Sequence, residues 1–389
     1  MHFESYTTVK QFSEMELQNN IPKFLLSFLR LTGLVEISDQ NVKCSSVSRT
    51  IDILVFVMFL DLFVITLMDF EHSESKIDMA YLSSFFLTIT VWFILRYKKK
   101  GITHLLQKSE GTSSSFREKI LNFMILLNYC MPLTYSAFLV CSLNQSEAAR
   151  YFFYGCEVKY ISIQTVITGI KSFLGYMIFP TFGNIVALLY IFLCFRSSDC
   201  LNNLSWEIEK SSLEDFTLSK QISILKKRTK IYYILLNIQN NFSLPIFFVI
   251  VANILICGCI TGWFLIIKWD ESDFLLKMES VFFGTNALVN VISILWTAGN
   301  VSVEMSKFKE IFHYKTHLKL LSRYSKQELH FKMDLMNEPE FVLTGWDVLP
   351  LRRSMILGLI GTLLTYTVLV MNTNGSEKIN VRCSTELKK

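Results

Sequence analysis

The sequence is poor in charge: Asp, Glu, Lys and Arg together make up 18% of its 389 residues, whereas about a quarter is usual for soluble domains. This shortage excludes a disordered chain, which is polar and rich in charge. It also argues against a water-soluble enzyme, because 51% of the residues are hydrophobic and so much apolar surface needs a solvent other than water. Glycine and proline are scarce as well, at 15 and 6 residues, which excludes fibrous and low-complexity chains. The class that remains is an all-α, multi-pass membrane protein.

Seven stretches are apolar enough to cross a bilayer, whose core of about 30 Å needs about 20 helical residues. None of them contains any of the 38 Lys and Arg residues of the chain. We therefore predict seven transmembrane helices, with an N-terminal segment (1–50), six helices in region 51–298, a connecting region (299–353), a last helix (354–371) and a tail (372–389). The predicted spans are 51–70, 79–95, 120–143, 173–195, 242–267, 281–298 and 354–371.

Basic residues beside the helix ends predict the orientation of the bundle, because Lys and Arg are enriched at the cytoplasmic surface. Arg96 and the lysines at 98–100 follow the second span, and Arg352 and Arg353 precede the last one. Both clusters lie on the side of the membrane that holds the N-terminus. We therefore expect a cytoplasmic N-terminus, a cytoplasmic region 299–353 and an extracellular C-terminus.

This orientation predicts the environment of three features outside the spans. Asn144 and Asn374 begin Asn-X-Ser sequons on the extracellular side and are predicted glycosylation sites. Cys156 and Cys383 lie on the same side, where disulfides persist, and a bridge between them stays an open alternative to two free thiols. The segment 21–37 is amphipathic, and it either lies on the inner membrane surface or packs on the helix bundle.

The sequence lacks the signatures of catalysis. It has no phosphate-binding Gly-rich loop, no nucleophile elbow and no Cys/His set with metal spacing. His313 and His317 are four residues apart, but Tyr314 stands where a zinc protease needs glutamate. We therefore expect no enzyme, no cofactor, no bound metal and no nucleic-acid partner. The basic run 97–100 is interpreted as a contact with membrane lipid.

Asp61 is the acidic residue nearest the middle of a predicted span, and intramembrane charge often marks a functional site. No cationic residue lies in any predicted span to neutralise it. It can be protonated, bonded to Tyr, Asn or Ser of another helix, or turned to a water-filled cavity. A structural role is favoured, and the lack of further buried charges and of internal repeats argues against a proton-driven transporter.

Polar and aromatic residues recur in the outer halves of the middle spans. An aromatic belt at the membrane interface explains such a pattern, and so does a small-ligand pocket with apolar walls and a few hydrogen-bonding groups; the pattern alone does not decide between them. Pro180 and Pro245 would kink the fourth and fifth spans and open such a space. The candidate ligand-binding residues are Tyr81, Ser84, Tyr135, Tyr176, Trp263, Thr285 and Asn286.

The last predicted helix carries small and polar residues on one face, at spacings of three and four. Small residues allow helices to pack closely in lipid. Identical stripes from several subunits would instead line a water-filled pore, and the pattern alone favours packing. The stripe consists of Gly358, Gly361, Thr362, Thr365, Leu369 and Asn372.

Region 341–373 resembles the C-terminal end of insect gustatory receptors. The last helix of that family closes with Thr-Tyr, five hydrophobic residues and Gln-Phe, after a glycine-containing turn. Here Thr365 and Tyr366 match, Asn372 replaces Gln and keeps the amide, and Thr373 replaces Phe. The turn is represented by Gly345, with Trp346 and Asp347. The related insect odorant receptors are similar to the chain less closely.

The resemblance implies a tastant-gated, nonselective cation channel in the plasma membrane of a sensory neuron, assembled as a homo- or hetero-tetramer. Each subunit would bind a small-molecule tastant in the outer half of its bundle, while the inner helix near 303–323 joins an anchor between subunits. Leu369 would be a gate residue and Asn372 an amide ring near the pore. The pore and gate residues implied are Thr365, Leu369, Asn372 and Thr373, with Tyr366 as part of the family motif.

Three alternative functions follow from the same seven spans. They are an insect odorant receptor subunit, a G-protein-coupled receptor and a small-molecule transporter. A G-protein-coupled receptor needs the opposite orientation, and the third span ends at 141–143 without an acidic-Arg switch. Among tastants, Thr367 favours a bitter or other non-sugar compound, because sugar-receptor members often carry an acidic residue at this position.

Overall fold

Helices account for almost all of the described structure, as the apolar composition predicts. The computed structural model describes residues 22–35, 42–69, 75–108, 115–142, 152–154, 160–266, 274–322, 326–366 and 368. The helices are α1 (Lys23–Leu31), α2 (Val42–Asp69), α3 (Ser75–Tyr97), α4 (Lys99–Lys108), α5 (Ser115–Ser142), α6 (Ile161–Tyr176), a π-helical segment (Met177–Phe182), α7 (Gly183–Lys210), α8 (Leu218–Ile266), α9 (Phe274–Ser322), α10 (Lys326–Asn337) and α11 (Ser354–Tyr366). Two short strands, β1 (Thr344–Gly345) and β2 (Leu349–Pro350), pair as an antiparallel hairpin.

Each predicted span overlaps helical structure where it is described, although the fourth is interrupted at Phe179, and the all-α membrane fold is confirmed. Four helical stretches of the described chain are long and apolar enough to cross a membrane by length and composition: Lys119–Cys141, Ile161–Lys210, Leu218–Gly262 and Lys277–Ser322. The described parts of the second and seventh predicted spans are shorter apolar helices, Leu82–Tyr97 and Ser354–Tyr366. The first predicted span lies within α2.

Helices α8 and α9 extend well beyond their apolar spans. Each has 49 residues, which corresponds to about 70 Å at 1.5 Å per residue, more than twice the bilayer core. The predicted inner helix 303–323 is therefore not a separate element, because it continues the sixth span within α9. The boundary expected at 298/299 falls inside this helix.

The far ends of α7 and α9 pack around Phe216, which lies between α7 and α8, and they continue the hydrophobic core of the bundle. Phe216 and Phe312 are fully buried and meet edge to face, with ring centroids 5.7 Å apart. Lys315 of α9 donates to the carbonyl of Glu209 at 3.0 Å, where α7 ends. A cation at this position complements the negative end of the helix dipole, and it satisfies carbonyls that have no partner within the helix.

Helix α1 packs on the bundle, which decides between the two interpretations of segment 21–37. Leu25 and Leu29 are 0% and 1% exposed, and Phe28 meets Tyr129 of α5 edge to face at 5.7 Å. The end of α1 is held by Arg96 of α3, which donates to the carbonyl of Gly33 at 2.7 Å. These contacts tie the N-terminal helix to the end of α3 and to the middle of α5.

Asp61 has a cationic partner, contrary to the expectation from the sequence. Lys171 of α6 lies 2.7 Å from its carboxylate, and the hydroxyl of Tyr154 also donates to it. The prediction failed because the fourth span was taken to begin at 173, whereas the helix begins twelve residues earlier. The suggested hydrogen bond from a tyrosine is present, although Tyr154 precedes α6.

The hairpin before α11 is the turn expected around Gly345. Trp346 and Asp347 both have positive φ, 50° and 55°, as a two-residue type I′ turn requires. Gln239 of α8 accepts from the Thr344 amide at 2.9 Å and donates to the Asp347 carboxylate at 3.2 Å. The indole of Trp346 lies 5.5 Å from the ring of Phe247. The hairpin is thereby fixed to α8 just before the last helix begins.

Candidate functional site

A cavity of about 340 Å³ lies between α5, α6, α7 and α9. This volume is within the range of small-molecule sites. Its surface is mainly apolar, and its polar groups are amides, phenols and aliphatic hydroxyls rather than charged side chains. The lining residues are Met124, Leu127, Asn128, Met131, Pro132, Tyr135, Tyr176, Pro180, Thr181, Asn184, Leu188, Ile191, Phe282, Thr285, Asn286, Val289, Asn290 and Ser293.

The cavity lies where the fourth predicted span is broken, as Pro180 predicted. Phe179 has extended backbone angles, φ −134° and ψ 124°, and Pro180 has no amide hydrogen to continue the helix. The π-helical segment Met177–Phe182 therefore contains a kink between two helices and is not a regular π-helix. The interrupted helix separates α6 from α7 beside the cavity. Pro245 lies inside the continuous helix α8 and does not line this space.

Four asparagine side chains form a hydrogen-bonded cluster at the α7 side of the cavity. Asn184 donates to Asn128 of α5 at 2.8 Å and to Asn286 of α9 at 2.9 Å. It accepts from Asn286 at 3.2 Å and from Asn290 at 3.1 Å. Asn184 therefore uses both amide hydrogens and both oxygen lone pairs. This amide cluster joins three helices where water cannot replace a lost partner.

Aromatic rings enclose the other end of the cavity. The ring of Tyr135 lies 4.4 Å from that of Phe282 and 5.8 Å from that of Tyr176. The hydroxyl of Tyr176 donates to the carboxylate of Glu279 at 2.9 Å. The site thus offers apolar ring surfaces at one end and hydrogen-bonding amides at the other, a combination suited to a small, largely apolar ligand.

The structure gathers most of the predicted ligand-binding residues in this cavity. Tyr135, Tyr176, Thr285 and Asn286 all line it. Ser84 does not: its hydroxyl is buried and donates to the carbonyl of Ala252 at 3.2 Å, where α3 packs on α8. The side chains of Tyr81 and Trp263 lie outside the described part of the chain. So do the other predicted positions Leu369, Asn372, Thr373, Asn144, Asn374, Cys156 and Cys383.

Sequence reasoning missed Asn128, Asn184, Asn290 and Glu279. A usable signal was present for three of them, because asparagine is costly in lipid and these three lie within predicted spans. Asn290 also follows Asn286 by four residues and so shares its helix face. Glu279 was excluded because the sixth span was taken to begin at 281, whereas α9 begins at Phe274.

The start of α11 is held by α9 immediately beyond the cavity. The guanidinium of Arg353 stacks over Trp296 at 4.4 Å from the ring centroid and donates to Asn300 at 2.6 Å. Between these two residues, Gly299 lets the backbones approach closely, since a Cβ at this position would lie 2.8 Å from the Arg353 nitrogen. Helix α9, which lines the cavity, therefore also contacts the base of α11.

One side of α11 packs on the bundle through half-buried Met355, Ile356, Leu359 and Leu363, and the other side is exposed in the single chain. Leu357 and Leu364 are 75% and 62% exposed. Thr365 bonds to its own helix, donating to the carbonyl of Gly361 at 2.8 Å. Tyr366 approaches α8, where a Cβ on Gly262 would lie 3.3 Å from its hydroxyl oxygen. The small and polar stripe is thus not packed against the rest of its own subunit along most of its described length.

The fold is that of insect olfactory receptors. The chain matches the structure of the insect olfactory receptor OR5 from Machilis hrabei in complex with eugenol with a TM-score of 0.70, at 13% sequence identity, over 92% of this chain and 99% of that one. It matches the structure of the same receptor described without eugenol with a TM-score of 0.62, at 12% identity, over 95% and 99% of the two chains. No protein-family model and no curated protein matches the sequence.

Proposed function

We propose that the protein is a subunit of a ligand-gated cation channel, in which a small molecule bound in the cavity opens a pore along the last helix. The observation that carries this proposal is that α9 contacts both the cavity and the base of the last helix. Residues 282–293 of α9 line the cavity, and residues 296–300 hold Arg353 at the base of α11. A ligand that binds one arrangement of α9 more tightly than another shifts the equilibrium between the two arrangements, and the size of the shift is set by the difference in affinity. Because α9 holds Arg353, the position of α11 would change with it.

The pore itself requires several subunits. The exposed apolar and small residues of α11 would be covered by lipid or by identical helices, and four copies around an axis place the stripe that contains Gly361 and Thr365 toward a shared channel. Tetramer formation, permeation of cations, Leu369 as the gate and Asn372 as an amide ring are parts of this proposal. The cytoplasmic N-terminus, the plasma membrane location and the absence of enzymatic activity belong to it as well.

Two kinds of ligand remain as candidates for the receptor. The C-terminal Thr-Tyr motif supports a taste receptor for a bitter or other non-sugar compound. The similarity to an olfactory receptor whose structure holds eugenol, together with the mainly apolar cavity, supports an odorant receptor as the second candidate. The proposed channel mechanism is the same for both candidates.

Replacing Gly299 by alanine is expected to disturb channel gating more than ligand binding. The added methyl group would lie 2.8 Å from the Arg353 nitrogen, so α11 must shift, at a cost of about 1–3 kcal/mol for overpacking. The measurement is the ligand concentration for half-maximal current beside the maximal current. The control is Gly258→Ala on α8, where a Cβ meets nothing within 4 Å and where currents should be unchanged. Equal currents from both variants would show that Gly299 does not couple ligand binding to the opening of the pore.

Replacing Leu369 by alanine is expected to produce current without ligand. An apolar ring of four leucines would close the pore by excluding water, and truncation widens that ring. The measurement is the leak conductance of cells that carry equal amounts of protein at the surface. The matched control is Leu364→Ala, five residues earlier in the chain, where the leucine is 62% exposed. A silent Leu369→Ala variant that reaches the surface would show that the gate lies elsewhere.

The proposed function is tested by whole-cell recording with G-protein signalling blocked. The applied panel contains neutral aromatics such as eugenol, aromatic amines and sugars. We expect a rapid cation current evoked by some aromatic members and by no sugar. A response that disappears when G-protein signalling is blocked would contradict the channel proposal and favour a coupled receptor. Responses to sugars alone would reject the proposed ligand class but keep the channel.

A further inference from the structure

We propose that the cavity recognises the positively charged nitrogen of an aromatic amine or quaternary ammonium compound, with Glu279 as its counter-ion. This inference rests on the proposed function for its physiological meaning, because it names the class of ligand that the receptor would take. Its evidence is the geometry of α9, the hydrogen-bond partners of the Glu279 carboxylate and the aromatic rings beside that carboxylate.

Glu279 continues the face of α9 that lines the cavity. Phe282, Asn286, Asn290 and Ser293 line the cavity, and they recur at intervals of three and four residues, which places them on one side of the helix. Glu279 precedes Phe282 by three residues and so lies on the same side, one turn toward the beginning of α9. Glu279 does not itself line the cavity, but its hydrogen bond with Tyr176 places its carboxylate beside the aromatic end.

The carboxylate of Glu279 is satisfied only in part. Its Oε1 accepts from the hydroxyl of Tyr176 at 2.9 Å, and an ionised carboxylate can accept about four hydrogen bonds. No ion pair to Glu279 is found within the described ranges of the chain. A carboxylate in a membrane protein without a cationic partner is costly, and a ligand cation would supply the partner that the described residues do not.

The rings beside Glu279 suit the same kind of ligand. Tyr135, Tyr176 and Phe282 pack with centroids 4.4 to 5.8 Å apart, and Tyr135 and Tyr176 present phenol rings whose faces attract cations. The amide cluster lies at the opposite end, and seven residues separate Glu279 from Asn286, which corresponds to about 10 Å of helix. A ligand with a cationic nitrogen at one end and a hydrogen-bonding group at the other would reach both.

The alternative role for Glu279 is structural, as a lock between α6 and α9 through Tyr176. A structural lock predicts that the carboxylate changes protein stability but not the preference for charged ligands. The counter-ion role predicts a preference that disappears with the carboxylate while the neutral part of the ligand still binds. The two roles are therefore separated by comparing a cation with a neutral compound of the same shape.

The experiment uses (4-hydroxybenzyl)trimethylammonium and 4-neopentylphenol, which differ by a quaternary nitrogen in place of a quaternary carbon. Dissociation constants are measured by calorimetry on the full chain in lipid nanodiscs, with empty nanodiscs as the blank. We expect wild-type protein to bind the cation at least tenfold more tightly than the neutral compound. Glu279→Gln should lose this preference and keep the affinity for 4-neopentylphenol. Glu310→Gln, an exposed position on the same helix, should retain the preference.

Equal affinities in the wild-type protein, or no binding of the cation, overturn the proposal. A preference that survives in Glu279→Gln also overturns it and leaves Glu279 a structural role. If Glu279→Gln does not fold, Glu279→Met removes the charge without leaving a polar group in the membrane and must give the same loss. If the protein binds the cation preferentially but passes no current, the channel proposal is contradicted and the proposed role of Glu279 stands. If neutral aromatic compounds alone evoke current, the channel proposal stands and the role of Glu279 as counter-ion is rejected.

Discussion

Replacing Asn184 by leucine is expected to abolish the ligand response and to destabilise the bundle by about 2–3 kcal/mol. Asn184 makes four side-chain hydrogen bonds within the amide cluster, and hydrogen bonds between membrane helices contribute about 0.6 kcal/mol each on average. Leucine has the same number and branching of side-chain heavy atoms, although a larger volume, and no polar atom, so Asn128, Asn286 and Asn290 lose their shared partner. The cluster would then no longer hold α5 and α9 at a fixed distance across the cavity.

The measurement for Asn184→Leu is the melting temperature of purified protein beside the ligand-evoked current. Asn253→Leu is the matched control, because Asn253 is also buried but donates to the Val249 carbonyl of its own helix. This control should lower stability by less than about 1 kcal/mol and should leave the current in place. If both leucine variants behave alike, the cluster has no special role in the cavity.

Replacing Lys171 by methionine is expected to destabilise the protein by about 3 kcal/mol or more. The ion pair with Asp61 is largely buried, with side chains 19% and 15% exposed, and removing one partner of a buried pair leaves an uncompensated charge. The hydroxyl of Tyr154 remains as a hydrogen-bond donor to Asp61, but it cannot neutralise the carboxylate. Loss of the pair should also release Phe152, whose carbonyl accepts from Lys171 at 3.2 Å.

The second change that tests this ion pair is Asp61→Leu. Combined with Lys171→Met, it removes both charges, and replacing a buried pair by apolar residues is often neutral or stabilising. The double variant should therefore recover most of the melting temperature that Lys171→Met loses. A double variant that is as unstable as the single one would show that Asp61 and Lys171 contribute through other contacts.

The helices could be predicted from the sequence because lipid imposes a strong rule. Every span must be apolar and about 20 residues long, and the described parts of the seven predicted spans accordingly overlap helical structure, with an interruption in the fourth at Phe179. The helix ends could not be predicted, since α8 and α9 continue into polar sequence where packing between helices replaces hydropathy as the stabilising factor. The partner of Asp61 was missed for this reason, because Lys171 lies just outside the apolar stretch.

The candidate site could be predicted in part, from residue types that are costly in lipid. Tyr135, Tyr176 and Asn286 line one cavity, yet nothing in their sequence spacing shows that α5, α6 and α9 meet. Ser84 has the same character but bonds to the backbone of α8, which only the packing of the bundle reveals. The break at Pro180 was predictable, because proline cannot continue a regular helix.

The most direct test of the account is a recording from the purified chain alone in a planar lipid bilayer, with calorimetry in the same lipid to establish that a ligand binds. The account predicts discrete cation currents that appear when that ligand is added and that need no other protein. A preparation that binds the ligand and passes no current would contradict the central claim that the cavity controls a pore within the same protein.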